Sequence, residues 1–475
     1  MPNTASSNNV FIDSRHQLID LLAQGCKPHT AWRIGTEHEK FGFIRPEASQ
    51  KPSSETLKAY TPPPYFGSHG IQALLNALYD SQPDHWRPVI DEGNIIGLNG
   101  KGQSAGAAIS LEPAGQFELS GAPLRTLHET AQELHDHFQT LRPIARSLGI
   151  GFSLLGFHPT GTRATMPWMP KSRYALMRTY MPKVGSLGID MMQRTCTVQV
   201  NLDFDSEHDM VRKMQVSAAL QPMTIALFAN SPFFEGKPNG FLSNRARVWT
   251  DTDRARSGTH PYVFSPDLSF ERYVDWVLDV PMYFIMRNGK MRNVAGRSFH
   301  AWLKGERQEG LEDTRPTLED FSHHLTTVFP DIRLKQFLEI RCADVGSPEM
   351  ILALSALWTG LLYDTTALNS AWDLIRSHPW EAYHQLYKQV PTQGLNTPFG
   401  KGTLRSFASR IMTLALKGLQ NRNIIDDKSQ LSEEIYLAPL LALAEGAPTQ
   451  AEHWLNRYHG AWMGDTNRIF LESEV

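Results

Sequence analysis

The chain has 475 residues, 41% of them hydrophobic and 20% charged, a composition that excludes a disordered or fibrous protein and has room for two or three sub-structures. Its 46 basic and 49 acidic residues leave a net charge of −3, which offers no basic field to nucleic acid. Three cysteines, Cys26, Cys196 and Cys342, cannot staple a chain of this size, and an odd number suits a reducing compartment.

The opening MPNTASSNNVFIDSRHQ has neither the apolar core of a signal peptide nor the arginine-rich look of a transit peptide, so a cytoplasmic location is expected. Residues 14–24 are spaced as an amphipathic helix that Gly25 ends, and Arg33 to Phe43 alternate as a strand. The Pro- and Ser-rich stretch 46–69 reads as a mobile loop. Ile71 to Tyr79 is helical in spacing, Val89 to Ser120 holds turns and short strands, and Leu127 to Leu148 is a helix of about six turns.

Pro159 to Leu187 reads as irregular sequence carrying Lys171, Arg173, Arg178 and Lys183. Thr195 to Asp205 is a predicted strand, His208 to Asn230 a helix interrupted at Pro222, and Leu334 to Val345 another strand. The longest apolar run, Met350 to Leu362, is too short for a bilayer span, so no membrane partner is expected. One boundary is expected, between residues 1–345 and a mainly helical 346–475.

Four strands repeat a period-2 pattern with acids on one face. Glu37 and Glu39 share a face in RIGTEHEKFGF, and Gln116 and Glu118 share one in AGQFELSG, with Glu112 just before it. Gln199 and Asn201 oppose Val198 and Val200 in CTVQVNLDF, and Glu339 and Arg341 oppose Ile340 and Cys342 in FLEIRCADV. Such strands predict an α+β fold: an antiparallel sheet with an oily side on helices and a polar side on a cleft. A lone strand face with two glutamates is usually just solvated. Several unneutralised acids on one face are different, because like charges opposed across strands destabilise a sheet unless cations sit between them. Same-face neighbours lie about 7 Å apart, close enough to hold an ion, and oxygen ligands select Mg²⁺ or Mn²⁺. Metal-assisted phosphoryl transfer is the reaction class this pattern suggests.

Other signals are weaker. GKGQSAG lacks the ending of a phosphate loop and reads as a turn. His38 alternates away from Glu37 and Glu39, and Tyr283 in DVPMYF reads by itself as core.

RIGTEHEKFGF, SLEPAGQFELSGAPL, YMPKVGSLGIDMMQRTCTVQVNLDF, ALFANSPFFEGKPNGFLSNRARVWTDTD and DVPMYF together resemble the plant-type glutamate–cysteine ligases of plants and proteobacteria. The likeness runs from about residue 30 to 370. It implies that ATP phosphorylates the γ-carboxylate of L-glutamate and that the amine of L-cysteine displaces phosphate, the first step of glutathione synthesis. It also implies a glutamine synthetase-like funnel with one antiparallel wall.

Carried over residue by residue, the resemblance makes Glu37, Glu39, Glu118 and Glu339 metal carboxylates, with Glu112 and Gln199 contributing. It assigns Arg173 and Arg245 to glutamate or its phosphorylated form, Arg341 to phosphate charge, Tyr283 to the cysteine pocket, and Lys171 and Lys183 to the phosphate region. Ala131 stands where plant members resemble one another in having a regulatory cysteine, so thiol switching is not expected and Cys196 and Cys342 read as core thiols. A monomer or homodimer of a bacterial cytoplasmic enzyme is the expectation. The alternatives are a related ligase with a different amine acceptor and a non-catalytic sensor on the same scaffold.

Overall fold

The computed structural model describes residues 10–49 and 58–475. The targeting reading of the N-terminus and the middle of the 46–69 loop therefore fall partly outside the described residues. Of that loop, Pro46–Ser49 is one helical turn and residues 58–69 run as turns.

Helix α1 (His16–Ala23) precedes the long strand β1 (Ile34–Ile44), and α2 (Ile71–Ser81) leads into β2 (Trp86–Asp91) and β3 (Asn94–Gly100). Strands β4 (Ala108–Leu111) and β5 (Phe117–Ser120), helix α3 (Leu127–Ser147) and strand β6 (Ile150–Ser153) follow. The stretch expected to be irregular contains helix α4 (Ser172–Tyr180), after which come β7 (Thr197–Leu202), α5 (Glu207–Leu227) and α6 (Asn244–Trp249). A separate hairpin pairs Phe284–Arg287 with Lys290–Asn293. Strands β8 (Ile332–Leu334) and β9 (Leu338–Asp344) complete the sheet, and helices dominate beyond it, among them α7 (Pro348–Leu362), α8 (Trp380–Gln393) and α9 (Leu404–Arg422).

The sheet has nine strands in the order β8-β9-β7-β1-β5-β4-β3-β2, with β6 paired to the far half of β1, and every pairing is antiparallel. Its four acid-bearing strands are therefore contiguous: Glu39 lies opposite Glu118, Glu37 opposite Gln199, and Glu339 opposite Asn201. Because side chains alternate, one face collects these polar groups while Val198, Val200, Leu202, Leu119, Leu338 and Ile340 are buried on the other.

Helices α3, α5 and α7 close the oily face. Helix α3 starts on a reciprocal cap, Glu129 N donating to Thr126 Oγ1 at 3.1 Å and Thr126 N to Glu129 Oε2 at 3.0 Å. Thr36 on β1 meets Ser355 on α7 at 2.7 Å between hydroxyls, tying sheet to helix. Helix α5 runs unbroken through Pro222, contrary to the expected interruption. Every residue from Lys213 to Leu227 is buried, and that packing outweighs a proline cost of about 3 kcal/mol.

The covered face is not wholly apolar. Lys40 is fully buried there, donating Nζ to the carbonyl of Phe117 at 3.2 Å and lying over the rings of Phe117 and Phe138 at 5.4 and 5.8 Å. Burial pushes its ammonium down to about 7. Beside it His38 packs 5.5 Å from His137, and burial holds both imidazoles well below their ordinary range. Among the described residues no single helix is long and apolar enough to cross a membrane.

Candidate active site

The polar face lines a cavity of about 850 Å³, within the size range of small-molecule sites. Glu37, Glu39, Glu112, Glu118 and Gln199 line it together with Lys171, Arg173, Arg245 and Arg341. Residues from six separate stretches meet there because the strands that carry the acids are neighbours in the sheet.

The acids are only partly satisfied. Glu118 accepts from Ser110 Oγ at 2.7 Å and from Ser120 Oγ at 2.8 Å, its own β4 and β5 neighbours. Glu39 accepts from Thr197 N at 2.9 Å. Burial, then the charges of Glu112 and Glu118, still push the Glu39 carboxyl well above the usual range. Burial and Glu118 raise Glu112 as well. Glu37 accepts from Asn201 Nδ2 at 2.7 Å.

The cations crowd one another in the same way. Arg341 donates to Gln199 Oε1 at 2.5 Å and to Glu339 Oε1. Arg333 donates Nη2 to Glu339 Oε1 at 2.6 Å and Nε to Oε2 at 3.2 Å, and Lys335 lies 3.0 Å from Oε2. Burial, then Arg333, push Arg341 down to about 9 and hold Lys335 well below its ordinary value. Lys171 falls to about 8 through burial and the charge of Arg173. Asp91 at the tip of β2 accepts from Ser172 N at 2.7 Å and so fixes the start of α4 beside these two residues.

Arg245 opens α6, capped by Ser243, whose Oγ accepts from Ala246 N at 3.1 Å. Its guanidinium donates to the carbonyls of Cys342 at 2.9 Å and Arg341 at 3.0 Å. Those carbonyls belong to a bulge in β9 between Ile340 and Ala343. The bulge corrects one expectation: its extra residue takes Cys342 off the oily face, and the thiol lines a second cavity.

Three expected site residues are placed elsewhere. Glu339 is fully buried, its oxygens engaged by Arg333, Lys335 and Arg341, and is not among the residues that line the cavity. Tyr283 is buried with the Arg256 guanidinium 3.9 Å from its ring and Met181 Sδ 3.4 Å from its hydroxyl, and does not line the cavity. Lys183 is exposed on a 3₁₀ turn away from it. Arg333 and Lys335, in DIRLKQFLEIR, are among the lining residues that the strand pattern did not mark, as are Arg287, Glu319 and His323.

Among the described residues no three His, Cys, Asp or Glu side chains converge as a ready-made metal cage. Mg²⁺ does not need one: it keeps several waters and is held by one or two carboxylates plus substrate phosphates. Glu39, Glu112 and Glu118 fit that requirement, since their mutual repulsion is what a divalent cation relieves.

The family model described as glutamate-cysteine ligase family 2 matches residues 33–472. The chain belongs to this family. It is 46% identical over 459 residues to the chloroplastic glutamate–cysteine ligase A of Oryza sativa subsp. indica, covering 97% of this chain and 87% of that one. It is 45% identical to the chloroplastic glutamate–cysteine ligase of Arabidopsis thaliana, covering 97% and 82%. The solved glutamate–cysteine ligase of Francisella tularensis in complex with AMP is a distant likeness, with a TM-score of 0.49 at 12% identity over 93% of this chain and 88% of that one. The relatives overturn the expectation of a bacterial cytoplasmic location, since they are chloroplastic ligases.

Proposed function

We propose that this member of glutamate-cysteine ligase family 2 joins the γ-carboxylate of L-glutamate to the amine of L-cysteine at the expense of ATP, through γ-glutamyl phosphate. The observation that carries the reading is the presence, in one cavity, of acids held above their ordinary range and cations that crowd one another. Acids alone suit a metal, and cations alone suit an anion. Both together suit a triphosphate whose γ-phosphoryl group is being moved.

In this reading Glu39, Glu112 and Glu118 would supply the carboxylates for Mg²⁺ or Mn²⁺, with Glu37 and Gln199 lining the same cavity. When bound, the ion neutralises phosphate oxygens. Arg173 and Arg245 bind the carboxylates of glutamate, aligning its γ-carboxylate oxygen with the phosphoryl group. Arg341, with Arg333 and Lys335 behind it, stabilises charge on the phosphoryl oxygens while the P–O bond to the leaving nucleotide breaks. The cysteine amine then attacks the acyl carbon, the C–O bond to phosphate breaks, and phosphate leaves against the same cations. Lys171, at about 8, is close enough to neutrality to exchange a proton near this centre. Tyr283 and Lys183 have no part in this assignment. The division at 345/346 is kept as our reading, with the helical part buttressing the wall through α8.

Phosphate release with ATP, glutamate and single amino acids tests the proposal. Release is expected with cysteine; release with another amine and none with cysteine would assign a different acceptor.

A further inference from the structure

A second cavity of about 630 Å³ lies between the core and α8. The two cavities share a partition of Arg245, Trp249, Phe329 and Arg341. We infer that this second chamber is a separate binding site for a small organic anion bearing a carboxylate or phosphate.

Charge points to an anion. Arg254, His384 and Lys388 are exposed around the chamber and Arg245 and Arg341 line it from within, so basic groups outnumber its one acid, Asp331. That acid is already engaged: its Oδ2 accepts from Thr259 Oγ1 at 2.6 Å and from Tyr387 hydroxyl at 2.8 Å. Its single charge is outnumbered by those of the cations around the chamber.

Unmet hydrogen-bonding capacity points the same way. Arg245 is 4% exposed, and with its Nη atoms donating to carbonyls its Nε is buried without a partner. His260 Nε2, from this lining alone, and Trp249 Nε1, from the partition, are also buried without partners. Leaving such groups unpaired costs about 1–3 kcal/mol each, which an acceptor ligand recovers. Ile225, Pro261 and Pro330 supply apolar wall, so the anion has a carbon body rather than being a bare ion. Guanidinium geometry suits carboxylate and phosphate alike.

The site is tested by calorimetric titration of glutarate and of inorganic phosphate into the full chain holding a non-hydrolysable ATP analogue, where glutarate can also take the glutamate position of the first cavity. One further binding event is expected. A His384→Ala/Lys388→Ala double variant, altered only around the second chamber, should weaken it about fivefold. Glutarate binding more tightly than phosphate identifies a carboxylate ligand, and the reverse order a phosphate ester. No further binding event, or a further event that the double variant leaves unchanged, overturns the inference. If the first cavity takes no nucleotide or glutamate, the ligase reading fails by itself, and the double variant still weakens the event at the second chamber.

Discussion

At the residue scale the decisive groups are acids held where they resist ionising. Glu39 faces Glu118 across the sheet and Glu112 from the next turn, and a divalent cation is the agent that makes Glu39 and Glu112 tolerable as carboxylates. Glu39→Gln keeps the shape and removes one charge, so turnover should fall by about two orders of magnitude or more while far-ultraviolet circular dichroism is unchanged. Parental turnover in that variant would remove Glu39 from the mechanism. Glu133, on α3, is a different case: it accepts from Ala122 N at 2.7 Å, and burial pushes it from 4.5 up to about 7. The folded chain then holds this proton after the unfolded chain has released it. Stability from this group is complete below about pH 4.5, declines as pH rises to about 7, and is flat beyond, a change of up to about 3 kcal/mol. Urea midpoints of parent and Glu133→Gln should diverge across that window, and parallel profiles would exclude the effect.

At the element scale the site depends on β9. Its bulge aims Arg341 at the cavity, and Arg245 holds the bulge through two carbonyls. Lysine at 245 cannot span both, so Arg245→Lys should raise the glutamate concentration needed for half-saturation about tenfold, an effect on KM larger than on kcat. Equal saturation would show that Arg245 is only structural. Glu339 anchors the same strand from behind, and Glu339→Ala would leave three cations uncompensated. A stability loss of about 3–5 kcal/mol is expected in urea unfolding. The acid strands were legible in sequence because alternation is a local property that survives in β1, β5, β7 and β9. Arg333 and Lys335 were not, because β8 has three residues and shows no period. Nor was the bulge, which depends on the partner strand, or the course of α5 through Pro222, which depends on packing around it.

At the scale of the whole molecule, one sheet has an oily face closed by helices and a polar face hollowed into a cavity. Sequence alternation anticipated both faces, but not the cation Lys40 and the two histidines buried on the covered side, whose environment is made by α3. It also missed the second chamber, assembled from α6, the turns around Thr259 and Asp331, and α8, segments far apart in the chain. The three cysteines are free thiols. Burial holds Cys196 and Cys342 well above the ordinary thiol value, hence protonated and slow to oxidise. Activity should therefore be the same with and without dithiothreitol, and a large loss in the reductant would reveal a disulfide.

The cluster's hold on a divalent cation is measured most directly by electron paramagnetic resonance of Mn²⁺ titrated into the chain with a non-hydrolysable ATP analogue. The account predicts a bound Mn²⁺ signal in the parent and at least about tenfold weaker binding in Glu39→Gln and in Glu112→Gln, with both variants folded. Undiminished Mn²⁺ binding in both would contradict it.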